Sequence, residues 1–150
     1  MEGSKKYLRK DRIYGHLDNL NRQLEDLERL PISNYKFFLD RENFERTKAI
    51  KFSLACAIQD ITRIALHIAV ALRLTQIKES EAESILALGQ AGIIPREFAD
   101  KIKGMPSFRN RLIHDYLPNK FDAEKLYNNL QQLDDFRKFS QYIIEWLERQ

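Results

Sequence analysis

The residue types that can do chemistry gather in one stretch, Met105–Pro118, which reads MPSFRNRLIHDYLP. Arg109, Asn110, His114 and Tyr116 fall close together within it. An arginine supplies a permanent, forked cation that fits phosphate oxygens. A histidine titrates near neutrality and passes a proton in either direction. Together these are two parts of a metal-free route to RNA cleavage. A base takes the 2′-OH proton, the cation steadies charge on the phosphorane, and an acid protonates the leaving oxygen. One histidine cannot be base and acid in a concerted step. A two-fold axis bringing a second Arg109/His114 set alongside would ease the chemistry. The two residues are five apart, about 140° round an ideal helix, so they share no ridge. They can still border one cleft if the helix ends near His114, as Pro118 suggests. Spacing alone leaves a plainer reading open, with Arg109 a surface cation and His114 a helix-end cap.

Other familiar constellations are missing. The sequence has no Walker loop, no G-x-G-x-x-G and no H-E-x-x-H. His16, His67 and His114 show no metal-ligand spacing, so neither a metal nor a cofactor is expected. The single cysteine, Cys56, excludes an internal disulfide framework and a Cys-based zinc site, which fits a reducing compartment. Asp60 and His67 lie seven apart, on one face of a helix. They are expected either as a hydrogen-bonded polar pair at the edge of a buried face or as supporting residues. In the second case they orient Arg109 or His114, or line a dimer cleft.

The elements that position these residues follow from periodicity and punctuation. With 5 Gly and 4 Pro in 150 residues, the chain is poor in turn formers, which argues against a β-sandwich. At 43% hydrophobic and 31% charged, it carries enough apolar residues for one buried core. Ile13, Leu17, Leu20, Leu24 and Leu27 predict a helix over residues 9–30, stopped at Pro31. A packed loop follows to Asp40, which reads as the N-cap of a long second helix running to about Leu74. That helix carries Leu54, Ile58, Ile61, Ala65, Ile68 and Leu72 in a stripe widened by Ala57, Ile64 and Ala71, and so is expected at the centre. Ser80 and Glu83 read as a capping box, and Gly92 as a left-handed helix end. Pro95, Pro106 and Pro118 frame two short helices, and one last helix is expected from about Asp122 to Leu147. The apolar runs break at His67 and Arg73, and no membrane span or signal peptide is expected. The fold class is all-α: a single-domain helical bundle over residues 1–150, with two long antiparallel helix pairs, short motif-bearing helices, and residues 1–8 a flexible basic end.

FRNRLIHDY resembles the R-x4-H-x-Y motif of HepT-type toxins, within the HEPN superfamily of helical ribonucleases. The likeness extends over residues 83–116, through A-G-I-I-P and M-x-x-F-R-N, and AIQDITRIALHI (residues 57–68) is similar to the family's second-helix block. In all, residues 41–148 correspond in type and order. The resemblance implies a metal-independent, cytoplasmic endoribonuclease toxin in which Arg109 and His114 are the catalytic pair and Asn110 is a supporting residue. It implies a homodimer whose two motifs face a shared cleft. It also implies an MNT-type nucleotidyltransferase antitoxin that neutralises the toxin by AMPylation of Tyr116, placing charge where RNA phosphate would sit. The alternative is a non-catalytic HEPN module that binds substrate or nucleotide for a small nucleotidyltransferase, and a third reading is a plain helical scaffold. Ser107 stands where the family often has Gly, and LPNKFD lacks an acidic spacer common among members.

Charge narrows the choice. The formal net charge is +3, but residues 1–14 and residues 96–120 each carry a local +3. The second excess lies in the motif segment, which fits an anionic partner such as RNA. The N-terminal run Lys5, Lys6, Arg9, Lys10, Arg12 reads as a solvated end or as an arm on the RNA backbone.

Overall fold

In the computed structural model, residues 7–74 and 80–150 are described, and all regular structure among them is helical. The first helix, α1 (Lys10–Glu28), buries the five apolar residues of its stripe. Leu30 and Ile32 then lead to a 3₁₀ turn, Tyr35–Leu39, which sinks Phe38 into the core. Asn34 caps that turn by accepting from the Lys36 N–H at 2.8 Å.

Asp40 accepts from the Glu42 N–H at 3.0 Å. It therefore caps a second 3₁₀ turn, Arg41–Asn43, rather than the α-helix directly. That turn runs straight into α2 (Phe44–Ala71), which packs against α1 on one side and α3 and the motif segment on the other. Half its residues are buried, so the expectation of a central helix holds. By composition α2 is apolar enough to cross a bilayer, with mean hydropathy 1.4 over its best window. Yet 67% of that window is buried against protein, as befits a core helix. Arg73, just past its end, is held at φ 59°, in the left-handed region that a side chain makes costly.

The Ser80 hydroxyl accepts from the Glu83 N–H at 3.2 Å and opens α3 (Glu81–Gln90). Gly92 closes the connection at φ 74°, as its position predicts. Gly89 has a different reason to be glycine: a Cβ there would sit 2.7 Å from the Ala99 Cβ of α4 (Arg96–Ile102). Next come α5 (Met105–Asn110) and a single π-helical turn, Arg111–Asp115.

The last helix expected from the sequence is two helices. α6 (Lys120–Leu130) and α7 (Asp134–Glu148) are separated by a turn at residues 131–133. Leu126, Leu133, Phe136, Ile143 and Leu147 are buried all the same, because the break redirects the stripe without removing it, whereas Leu130, expected buried with them, is only half-buried at the end of α6. One hydrophobic cluster joins α1 to α4, Leu112, α6 and α7. Of the expected flexible end, residues 1–6 lie outside the described residues, and Leu8 packs against the core.

Candidate functional site

The motif is split between the inside and the outside of the molecule by the change from α-helix to π-turn. Arg109, the last residue but one of α5, is only 7% exposed. The five residues of the π-turn follow, with Leu112 turned into the core and His114 exposed. A π-turn carries one residue more per hydrogen-bonded ring, and such turns are frequent at functional sites. Here it places a buried arginine and an exposed histidine on one short segment.

Arg109 is fixed by four side chains. Its Nη1 donates to Glu81 Oε2 at 2.6 Å and Gln59 Oε1 at 2.7 Å, with Thr62 Oγ1 at 3.4 Å. Its Nη2 donates to Glu81 Oε1 at 2.8 Å and Asn110 Oδ1 at 3.0 Å, and Nε reaches the same Asn110 oxygen at 3.3 Å. All five guanidinium hydrogens thus have protein acceptors. The hydrogen bonds from Arg109 hold the Glu81 carboxyl below the usual glutamate range against the opposing effect of burial. The carboxylate in turn raises the guanidinium's pKa. The Glu81 side chain is 38% exposed, so the pair sits at the rim of the core, with water at its open edge.

Tyr116 follows the π-turn and folds back. Its ring packs under Lys51 of α2, with Nζ 4.2 Å from the centroid. Its hydroxyl is buried and has no hydrogen-bond partner among the described residues. Burial, then the charge of Asp122, pushes its pKa up to about 12. Alongside is a cavity of about 10 Å³ bordered by Phe108, Leu112 and Asp122, about the space one water needs. Asp122 latches this segment, accepting from the Leu117 N–H at 2.7 Å and from Arg111 Nη2 at 2.9 Å.

Of the residues expected to act together, Arg109 and Asn110 are in direct contact. Asp60 and His67 face α1 instead. Asp60 accepts from Asn19 at 2.7 Å and lies 2.9 Å from His16 Nδ1. His67 Nε2 accepts from the Arg9 backbone N–H at 3.0 Å. Neither touches Arg109, whose partners on α2 are Gln59 and Thr62, one helical step round from Asp60 and Arg63. Gln59, Thr62 and Glu81 were not legible as site residues. The one signal was Glu81 opening a capped helix, which on its own means only a favourable charge at a helix N-terminus.

A family model described as Ribonuclease HepT-like matches residues 20–143. The sequence matches no curated protein. Among solved structures, a tri-AMPylated Shewanella oneidensis HEPN toxin in complex with MNT antitoxin is similar, with 24% identity and a TM-score of 0.76, over 90% of this chain and 98% of that one. A mutant MntA–HpeT toxin–antitoxin gives the same identity, coverage and TM-score. A toxin–antitoxin with AMP-PNP is similar at 20% identity and a TM-score of 0.62, over 89% of this chain and 98% of that one. These likenesses fix the bundle as the architecture of that group of folds.

Proposed function

The chain belongs to the HepT-like ribonuclease family, and from that premise we propose that it is a metal-independent endoribonuclease toxin of the cytoplasm, with Arg109 and His114 as its catalytic pair. The observation that carries the reading is the division of the motif: a guanidinium anchored at the rim of the core by four side chains, and an exposed imidazole on the π-turn directly after it. Such anchoring fixes the cation beside the π-turn, so a phosphate that displaces one of its partners meets a donor already oriented. In the proposed step a neutral His114 takes the 2′-OH proton. The 2′-oxygen attacks the phosphorus, a 2′,3′-cyclic phosphate forms, and the 5′-oxygen leaves with a proton from an acid. The acid is His114 of a second copy across a shared cleft.

The surface favours such a pairing. Ile113 within the motif, and Leu117 and Phe121 after it, are each more than half exposed, as are Phe44 and Phe52 on α2. Exposed apolar side chains gathered at a motif mark a contact surface. A homodimer would cover them and bring the two imidazoles to one substrate.

Tyr116 is the proposed point of control, modified with AMP by a nucleotidyltransferase antitoxin of the MNT type. Its hydroxyl would attack the α-phosphorus of a nucleoside triphosphate, release pyrophosphate and lose its proton. Because that hydroxyl is buried, modification requires residues 116–117 to leave the Asp122 latch first. The added phosphodiester would then hold negative charge beside the motif, where the RNA phosphate belongs.

One observation favours a second reading, a non-catalytic nucleotide-binding partner. Arg109 has every donor committed within the protein, so a phosphate must displace Glu81 or Asn110 to reach it. Incubation of the purified protein with total RNA in EDTA separates the two. Cleavage that is lost in Arg109→Ala and in His114→Ala, with both variants folded, supports the ribonuclease. Intact RNA with tight nucleotide binding supports the alternative.

A further inference from the structure

A cavity of about 710 Å³ lies away from Tyr116, between the start of α1 and the C-terminal half of α2. Ligand pockets fall in the range of about 300–1,000 Å³, so the space suits a molecule of several rings or groups. Three arginines line it: Arg12 from α1, Arg63 from α2 and Arg73 just beyond α2. Among the described residues no carboxylate does. The floor is apolar, with Ile13, Leu66 and Val70. A cationic rim over an apolar floor fits a ligand with an anionic end and a flat, weakly polar body.

The two histidines on the wall add hydrogen-bonding polarity. His16 presents Nδ1 to the buried Asp60 carboxylate at 2.9 Å, so Nδ1 carries a proton and the Nε2 edge is the one left to a ligand. His67 receives the Arg9 N–H on Nε2, so its Nδ1–H is left as a donor. Asn19 fixes the second Asp60 oxygen at 2.7 Å, which holds the carboxylate and hence the His16 ring in place. Two imidazoles held on one wall suit the hydrogen-bonding edge of a nucleobase.

Arg73 supplies an independent sign. It sits in the left-handed region at φ 59°, where glycine is the easy choice and a long side chain costs backbone strain. The strain places a cation on the cavity rim.

From these features we infer that the α1–α2 cavity is a nucleotide-binding site, its arginines taking the phosphate and its apolar floor and histidine wall taking the base. Two sources supply that chemistry, a free mononucleotide or one nucleotide unit of an RNA strand. Position supports the strand. Arg63 is one residue from Thr62, which touches Arg109, and its charge reaches the Glu81 carboxyl. A strand lying in the cavity would pass the Arg109 network. That second source rests on the ribonuclease reading, whereas the free nucleotide does not.

The test uses the full chain, titrated separately with AMP, with inorganic phosphate and with a 2′-O-methyl oligonucleotide of about eight residues, which cannot be cleaved through its 2′-oxygen. The variants are Arg12→Ala and Arg73→Gly, alone and together. Arg73→Gly removes the cation while giving the backbone the residue it favours, so no loss of Tm is expected from it. Each arginine removed should weaken binding roughly tenfold. The slope of log affinity against log salt for the oligonucleotide should fall by about 0.7 per arginine. Binding of AMP over phosphate identifies a free-nucleotide site, and binding of the oligonucleotide alone identifies a strand subsite. Equal binding by the parent protein and the double variant, or no binding of either nucleotide probe, overturns the inference. Active cleavage with an unchanged KM in the double variant and no effect on AMP binding would sink the cavity and leave the ribonuclease standing. The reverse pattern would sink the ribonuclease and leave the cavity.

Discussion

Removal of Glu81 is the perturbation whose size the structure lets one work out. Breaking a buried ion pair by deleting one partner costs about 3–5 kcal/mol when the survivor is sealed from water. Arg109 is nearly sealed, but the Glu81 side chain is 38% exposed, so water can enter where the carboxylate was. Gln59 and Asn110 also remain within 2.7–3.0 Å of the guanidinium. Those two facts bring the expected cost of Glu81→Ala down to about 1–2 kcal/mol. For a domain of this length that is a fall in Tm of roughly 2–8 °C. The pH dependence follows from the lowered carboxyl pKa of the folded protein. The unfolded chain takes up the proton first as pH falls, so Glu81's contribution is whole above about pH 4.3, the ordinary glutamate value. It is lost as pH drops through the lower folded value. Thermal unfolding followed by circular dichroism at pH 7 and at steps down to pH 3 should therefore show a gap between parent and Glu81→Ala that closes in acid. A gap of the same size at every pH would refute the ion pair as its cause. No gap at pH 7 would refute the network.

The other expectations concern the tyrosine, its latch and one glycine. Tyr116→Phe removes a buried hydroxyl without a partner and should leave stability unchanged or raise it by about 1 kcal/mol at neutral pH, as read by urea unfolding. The same variant should delete the tyrosine transition near pH 12 from an ultraviolet titration. Stability gained from keeping that phenol neutral is whole below about pH 10 and lost as pH rises through about 12. Asp122→Asn weakens the hold on Leu117 and Arg111, and should speed AMP transfer to Tyr116 by an MNT-type enzyme about tenfold. Mass spectrometry of the modified protein reads that rate, and an unchanged rate would show that the latch does not gate the hydroxyl. Gly89→Ala forces α3 and α4 apart at a 2.7 Å approach and should cost about 1–3 kcal/mol by the same unfolding assay.

Helical periodicity carried most of the fold, because a 3.6-residue stripe reports directly on which face is buried. The five leucine and isoleucine positions of α1 are all buried, and Ser80 and Gly92 punctuate α3 as their chemistry dictates. The split between α6 and α7 was hidden, since residues 131–133 hold no Gly or Pro and the apolar stripe continues through them. In the site, the sequence shows which residues have useful chemistry but not which way they face. Asp60 and Gln59 are neighbours in the chain, yet 100° apart on the helix. One braces α1 and the other holds Arg109. Glu81 lies 28 residues from Arg109, a separation that no local pattern reports.

The π-turn explains why the motif has the spacing it does. An uninterrupted α-helix through Arg109 would turn His114 about 140° away from it and keep both at one depth along a packed cylinder. Widening the turn over Arg111–Asp115 ends α5 at the point where Arg109 has sunk between Glu81 and Gln59. Leu112 then anchors the wide turn in the core while His114 stays out. Asp122 holds Leu117 after the turn and Arg111 at its start, one residue on each side of the histidine. His114 is thus held from both ends, by Arg109's network before it and by the latch after it. A change that loosens either end acts on the imidazole without touching it, so any modification that displaces Tyr116 from its buried seat must also disturb the histidine.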